Sequence, residues 1–349
     1  MNVVIRADSS TNLGSGHVMR CLTLADGLSD KGANVIFLCQ NLPGNLNTVI
    51  KERGYSVNRI SLQTSDNFKW EKDAKDTIHY IEQQAGKPDW LVVDHYDLDS
   101  DWEKLLRPYT RKIMVIDDLA DRAHDCDVLL DQNYYSDAGE RYLNLVDGNC
   151  ILALGPKYAL LRKEFEEKRK YLKEKTGEVS RLFISLGAGD PHNLTSSIID
   201  VLIDLQLSIN IDVVIGKSNP HTDMLVNKCR NLSRVNLYIQ IDNMSELMLN
   251  ADFAIGAGGA TSWERCTMGL PSLLISLADN QVRISEGLSE LGCAFYFGKY
   301  EDITEMKLTK FITKILSDHY VIKNMIKNCI NTVDAQGCKR VVSILEDQT

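Results

Sequence analysis

At 349 residues the chain is longer than one compact core usually organises, so two domains sharing a cleft are the default expectation. Apolar residues make up 44% and charged residues 25%, which excludes a disordered chain; a formal charge of -9 with no Lys/Arg block excludes a broad nucleic-acid or membrane surface. Nine cysteines without a CxxC pair, a first strand that begins at once, and no apolar run near the ~20 residues of a membrane helix predict a cytoplasmic protein with reduced thiols.

Short apolar runs alternate with longer amphipathic stretches, the pattern of βαβ units with a parallel sheet, so the fold class is α/β. In the first half, strands are expected over 3–7, 34–39, 56–60, 90–93, 112–116 and 128–130, with helices over 18–29 and 69–84. The second half repeats the rhythm at 182–185, 211–215, 237–239, 253–255, 272–275 and 294–297. Two Rossmann-like, doubly wound lobes follow, 1–155 and 156–349, divided at Gly155-Pro156 ahead of a charged stretch, 162–175, that reads as too polar for core. From Val321 a last helical region, interrupted at Gln336-Gly337, finishes the second lobe or crosses back to the first.

The strongest local signal lies between the first strand and the first helix, Asp8-Ser9-Ser10-Thr11-Asn12-Leu13-Gly14-Ser15-Gly16-His17. In an open parallel sheet ligands bind there, glycines allow close backbone approach, and the free N–H groups of a helix start attract anions. A helix N-terminus disfavours imidazolium, so His17 is a candidate neutral proton acceptor; the plain alternative is an ordinary βα turn with His17 as a capping residue. Met19 stands where the dinucleotide fingerprint needs its third glycine, which turns the loop away from NAD. Val93-Asp94-His95-Tyr96 ends a buried strand, where Asp94 either orients an imidazole or caps the next turn.

Gly256-Ala257-Gly258-Gly259-Ala260-Thr261-Ser262-Trp263-Glu264 is a second strand, glycine and helix-start combination. Its amides and hydroxyls suit a diphosphate, and Glu264 suits a ribose hydroxyl pair; a capping motif with Ser262 or Thr261 at the N-cap is the other reading. Gly187-Ala188-Gly189-Asp190 is either a plain tight turn or a further phosphate contact, and Asn280-Gln281 offers amides for neutral sugar groups. The acidic pairs in 97–101 and 125–127 are read as turn residues rather than a metal site, and His79, His124, His192, His221 and His319 as surface or helix histidines.

Arg6-Ala7-Asp8-Ser9-Ser10 running through Gly14-Ser15-Gly16-His17-Val18-Met19-Arg20-Cys21-Leu22 closely resembles the opening of the PseG family. Those enzymes are UDP-2,4-diacetamido-2,4,6-trideoxy-β-L-altropyranose hydrolases of pseudaminic acid biosynthesis. Asp94-His95-Tyr96, Gly187 to Asp190, Gly258 to Glu264 and Asn280-Gln281 follow in the family's order, and the second lobe also looks like MurG-type glycosyltransferases. The resemblance implies a GT-B-like pair of lobes with an interdomain cleft, UDP held by the second lobe, and metal-independent, cofactor-free hydrolysis with His17 as base. It makes His17, Asp94 and Tyr96 the catalytic candidates, and Arg6, Ser10, Gly14, Gly16, Gly187, Gly189, Gly259, Ala260, Thr261, Ser262, Glu264, Asn280 and Gln281 the substrate-binding ones. The expected partner is a UDP-sugar substrate, with no nucleic acid or membrane, and the expected state a monomer or weak homo-oligomer. Rival readings are a UDP-sugar glycosyltransferase of the same fold and a non-catalytic sugar-nucleotide sensor.

Overall fold

Apolar runs buried on both faces become parallel strands in two sheets of the computed structural model, which describes residues 1–11, 13–60, 68–187 and 189–349. Asn12, Ala188 and the segment 61–67 lie outside the described residues, so parts of two of the glycine motifs do too.

The chain divides into two units, and the first comprises Met1–Leu161 with Gln336–Thr349. Its strands are β1 (Asn2–Ala7), β2 (Asn34–Cys39), β3 (Ser56–Arg59), β4 (Trp90–Asp94), β5 (Lys112–Ile116), β6 (Val128–Asp131) and β7 (Ile151–Leu154), in the order β3-β2-β1-β4-β5-β6-β7. One side of β1 packs Val3, Ile5 and Ala7 against Val18, Leu22 and Ala25 of α1 (Gly16–Ser29); the other side packs with Leu91, Val93 and Trp102. The chain winds from β1 out to β3 and returns to β4 on β1's far side, so the C-terminal ends of β1 and β4 meet at a topological switch point, with Ala7 beside Asp94.

The second unit, Arg162–Ala335, contains β8 (Arg181–Ser185), β9 (Asn210–Ile215), β10 (Val235–Ile239), β11 (Phe253–Ala257), β12 (Ser272–Ser276) and β13 (Ala294–Lys299). Their order, β10-β9-β8-β11-β12-β13, is the same winding with the same switch point, here between β8 and β11.

Two features differ from the sequence reading, and a third, which it left open, is decided. Strand β7 was not expected, because its four residues are mostly half-buried at the sheet edge and lack the longer run of the inner strands. The charged stretch 162–175 does reach the core: Lys163–Arg169 is a helix of the second unit, with Phe165 fully buried and Arg169 donating to the carbonyls of Thr267 and Ile330. Of the two courses left open for the tail, the helix Gly337–Asp347 takes the one back to the first unit, since Val341, Val342 and Leu345 bury against α1 and its neighbours. That burial stabilises by roughly 1.5–3 kcal/mol per side chain.

Candidate functional site

At the switch point of the first unit, helix geometry and strand order bring together residues far apart in sequence. His17 is the second residue of α1, and Arg20, three residues on, shares its face of the helix. Both reach Asp94, the last residue of β4: His17 Nδ1 lies 2.6 Å from Asp94 Oδ1, Arg20 Nη2 donates to the same oxygen at 2.7 Å, and Arg20 Nε donates to Oδ2 at 2.6 Å. Asp94 is wholly buried and His17 is 7% exposed. Burial pushes the Asp94 carboxyl up, but the Arg20 guanidinium and His17 outweigh it and hold it well below the usual carboxylate range. An ionised Asp94 can only accept, so the His17 proton sits on Nδ1 and Nε2 is left as the basic nitrogen.

Tyr96 stands with its ring 4.5 Å from the His17 ring at 83°, edge to face, and its hydroxyl donates to Asp118 Oδ1 at 3.0 Å. Burial, with Asp118 adding to it, pushes the Tyr96 phenol far up, so it is a hydrogen-bond donor and not an acid near neutrality. Ser10 and Gly14 are tied to each other: Gly14 N–H donates to the Ser10 carbonyl at 2.9 Å, Leu13 N–H to Ser10 Oγ at 2.9 Å, and Gly14 has φ of 77°. Gly14 and Gly16 are exposed, and α1 starts at Ser15 with no side-chain cap and no acid in its first turn, so its positive end is uncompensated.

Arg6 corrects an expectation. Its guanidinium is completely buried, bonded to Asp73 and Asp8 at 2.7 Å each, so it touches no ligand and instead braces the loop from beneath. Burial opposes its charge, but Asp73 and Asp8 override that and keep it protonated. Asp8 in turn accepts from Gln40 N–H at 2.7 Å, and His95 Nε2 lies 3.3 Å from it. His124 is also no surface residue: it is buried, with Nδ1 2.7 Å from Glu103 Oε1.

Sequence reasoning missed Arg20, Asp117, Asp118 and Asp131. The Asp117-Asp118 pair directly after the buried run of β5, and Asp131 at the end of β6, carried the same signal as Asp94, an acid at the C-terminal end of an inner strand. The Tyr142 hydroxyl lies 3.1 Å from Asp117 Oδ2 and 3.0 Å from Asp131 Oδ2. One hydroxyl proton serves one carboxylate, and burial pushes Asp131 up to about 7.

In the second unit the helix Ala260–Thr267 follows β11 through Gly258-Gly259. Gly259 is its N-cap at φ 127°, again with no side-chain cap and no acid in the first turn. Neither Thr261 nor Ser262 is the cap. Ala260 is exposed and Gly259 and Thr261 half-buried, but Ser262 points inward, its Oγ accepting from Arg265 Nη2 at 2.8 Å, so it does not face a ligand as expected. Arg265 also donates to the Ala257 carbonyl at 2.8 Å and bolts the helix start to β11; burial pulls it down to about 10. Glu264 is half-buried, and its Oε1 accepts from Arg162 Nε at 3.2 Å and Nη2 at 3.1 Å. Burial raises it, with Arg162 opposing.

The turn after β8 is another correction. Gly187 has φ of 85°, but buried Asp190 accepts from the N–H groups of Leu194 and Thr195 at 3.0 and 2.9 Å. That carboxylate occupies the helix end a phosphate would need, so Gly187 and Gly189 serve a capped turn. Gln281 Oε1 accepts from Leu277 N–H at 2.8 Å, which ties it to its own turn, while Asn280 is exposed.

The acidic pairs noted in sequence are engaged locally. Asp99 caps the helix Ser100–Leu106, and Asp125 and Asp127 both pair with Arg107. Among the described residues one group has metal-ligand spacing, Cys266, Cys293 and Cys329, within 4.8 Å of one another in the second unit's interior. Its thiols already have partners, Cys329 donating to the Cys293 carbonyl at 3.4 Å and Cys293 Sγ lying 3.3 Å from Thr332 Oγ1. No helix among the described residues is long and apolar enough to cross a membrane.

The glycosyltransferase family 28 C-terminal domain matches residues 182–341. An uncharacterised protein of Methanocaldococcus jannaschii, MJ1062, is 28% identical over 281 residues, 79% of this chain and 55% of that protein, so the chain spans about half of that relative's length. The UDP-2,4-diacetamido-2,4,6-trideoxy-beta-L-altropyranose hydrolase of Campylobacter jejuni is 33% identical over 249 residues, 71% of this chain and 81% of the relative. Among solved structures, MurG of Acinetobacter baumannii matches with a TM-score of 0.68 and 13% identity over 99% of both chains, a likeness of fold that makes the two halves those of a GT-B protein. With a third of its aligned residues identical over most of the Campylobacter enzyme, the chain belongs to that hydrolase's family, the PseG family.

Proposed function

We propose that the chain is an enzyme that hydrolyses a UDP-2,4-diacetamido-2,4,6-trideoxy sugar of the L-altro type to UDP and the free sugar, a step of pseudaminic acid biosynthesis. The observation that carries this reading is the buried Asp94 carboxylate 2.6 Å from His17 Nδ1, which leaves Nε2 to accept a proton. Water gives that proton to Nε2 as its oxygen bonds to the anomeric carbon on the face opposite UDP. The C1–O bond breaks, UDP leaves with the bonding pair, and the configuration inverts. UDP is a good leaving group, so activation of water and stabilisation of the diphosphate are the main needs. The uncapped start of the helix Ala260–Thr267 suits the second, without a metal ion. Glu264 Oε2 is the candidate acceptor for a ribose hydroxyl, and Asn280 for an acetamido group.

The test is to incubate the protein with a panel of UDP-2,4-diacetamido sugars in EDTA, without acceptor, and follow UDP release in 18O-labelled water. The expected result is turnover of one epimer with label in the sugar. Label in UDP would mean attack at phosphorus and would end the reading. The match to a glycosyltransferase domain favours one rival, transfer to a hydroxyl acceptor, and UDP release only when an acceptor is added would establish it.

A further inference from the structure

Arg20 touches both walls of the His17 site. Its Nε and Nη2 grip the two oxygens of Asp94, and its Nη1 donates to Asp118 Oδ2 at 2.9 Å, the carboxylate whose other oxygen holds Tyr96. Its Nη2 also lies 3.3 Å from His17 Nδ1. Arg20 is 8% exposed, and its contacts with Asp94 and His17 are buried.

Two consequences follow from this geometry. A carboxylate can swivel about its last bond, and a lone bond to imidazole would leave its plane undefined; the two-pronged guanidinium fixes that plane and with it the direction of Oδ1. The same guanidinium also balances the charge of the buried Asp94 beside the imidazole, and its Nη2 stands 3.3 Å from Nδ1. We infer that Arg20 is the positioning residue of this site, holding Asp94 and, through Asp118, Tyr96, so that the His17 proton stays on Nδ1, against Asp94, and Nε2 stays open. The inference rests on the reading of His17 as the base, but its central claim concerns where the imidazole proton sits, which can be measured without turnover.

Arg20→Gln, Arg20→Lys and Asp118→Asn are each assayed for kcat and KM and examined by 15N NMR of imidazole-labelled protein, with His17→Ala assigning the signal. Wild type is expected to show one form, protonated on Nδ1. Arg20→Gln is expected to mix the two tautomers and lower kcat about 100-fold, with KM within about threefold, the scale of a misplaced catalytic group. Arg20→Lys keeps the charge but not the fork, so it recovers little of the loss; should Arg20→Gln not fold, this variant carries the test. Asp118→Asn leaves Asp94 gripped and keeps the single tautomer, with the smallest loss. Added to His17→Ala, Arg20→Gln costs nothing further. A single, unchanged tautomer in Arg20→Gln and Arg20→Lys, or a loss that multiplies onto His17→Ala, overturns the inference. Full turnover by His17→Ala would instead remove the base assignment, and the tautomer spectra would still decide the positioning.

Discussion

In the first unit the ends of β1 and β4 are crowded with charged side chains, whereas in the second the end of β11 runs into glycine backbone. The strand order and the switch point are the same. Around the first lie Arg6, Asp8, Asp73, Arg20, Asp94 and Asp118, every one in an ion pair and most of them buried. Around the second lie Gly258, Gly259 and an uncapped helix, with Arg265 turned inward as a bolt. Buried ion pairs are costly and seldom add stability over apolar packing, so a dense network at a ligand edge points to chemistry. Backbone amides at a helix start hold an anion without moving a proton. On the proposed function, one topology serves two tasks, proton handling and anion binding, according to which side chains fill its crevice.

The largest test of that division is His17→Ala. It is expected to lower kcat by roughly 100- to 10,000-fold, the usual worth of a general base, while UDP affinity by calorimetry stays within about twofold. Asp94 keeps its Arg20 partner in this variant, so the fold should stand. Wild-type turnover would take the proton chemistry away from the first unit, and lost UDP affinity would merge the two tasks.

The next effect is on stability. Asp131, raised from 3.8 to about 7 mainly by burial, keeps its proton in the folded chain where the unfolded chain has released it. Its contribution is therefore fully present below about pH 4 and is lost as pH rises through about 7, on the order of 4 kcal/mol at most for three pKa units. Asp131→Asn should flatten this decline in urea-unfolding curves taken between pH 4 and 8. A variant as steep as wild type would show that the first unit's acid edge is not storing a proton there.

The inner strands were readable because burial on both faces demands an unbroken apolar run, and β4 (WLVVD) and β12 (SLLIS) supply one. The place of the site followed too, since glycines and a histidine after a first strand mark the ligand edge. Partners were not readable. Arg6 looked like a ligand-facing residue because nothing in sequence announces Asp73, 67 positions away, waiting beneath it. Arg20 entered only as one residue of the loop and helix motif, and Arg162 only as part of a stretch too polar for core, because long-range charge pairs leave no periodicity. The hydroxyl of Ser262 was assigned outward from its place after glycines, but its rotation on the helix, fixed by the N-cap at Gly259, turns it to Arg265.

Glu264→Ala probes the second unit's side of the comparison and should give the smallest change. If the carboxylate accepts from ribose, its removal forfeits one or two charge-assisted hydrogen bonds, and UDP affinity falls about 10-fold, since each is worth roughly 1.5 kcal/mol or more. The partner it leaves behind is not orphaned: Arg162 Nη1 still pairs with Glu164 at 2.6 Å, so stability should drop by less than a buried unpaired charge would cost. Turnover at saturating substrate should hardly move, because His17, Asp94 and Arg20 are untouched. An unchanged UDP affinity measured by calorimetry would remove the ribose contact and leave Glu264 as a structural partner of Arg162, whereas a fall in kcat at saturation would mean that the anion-binding unit also shapes the chemical step.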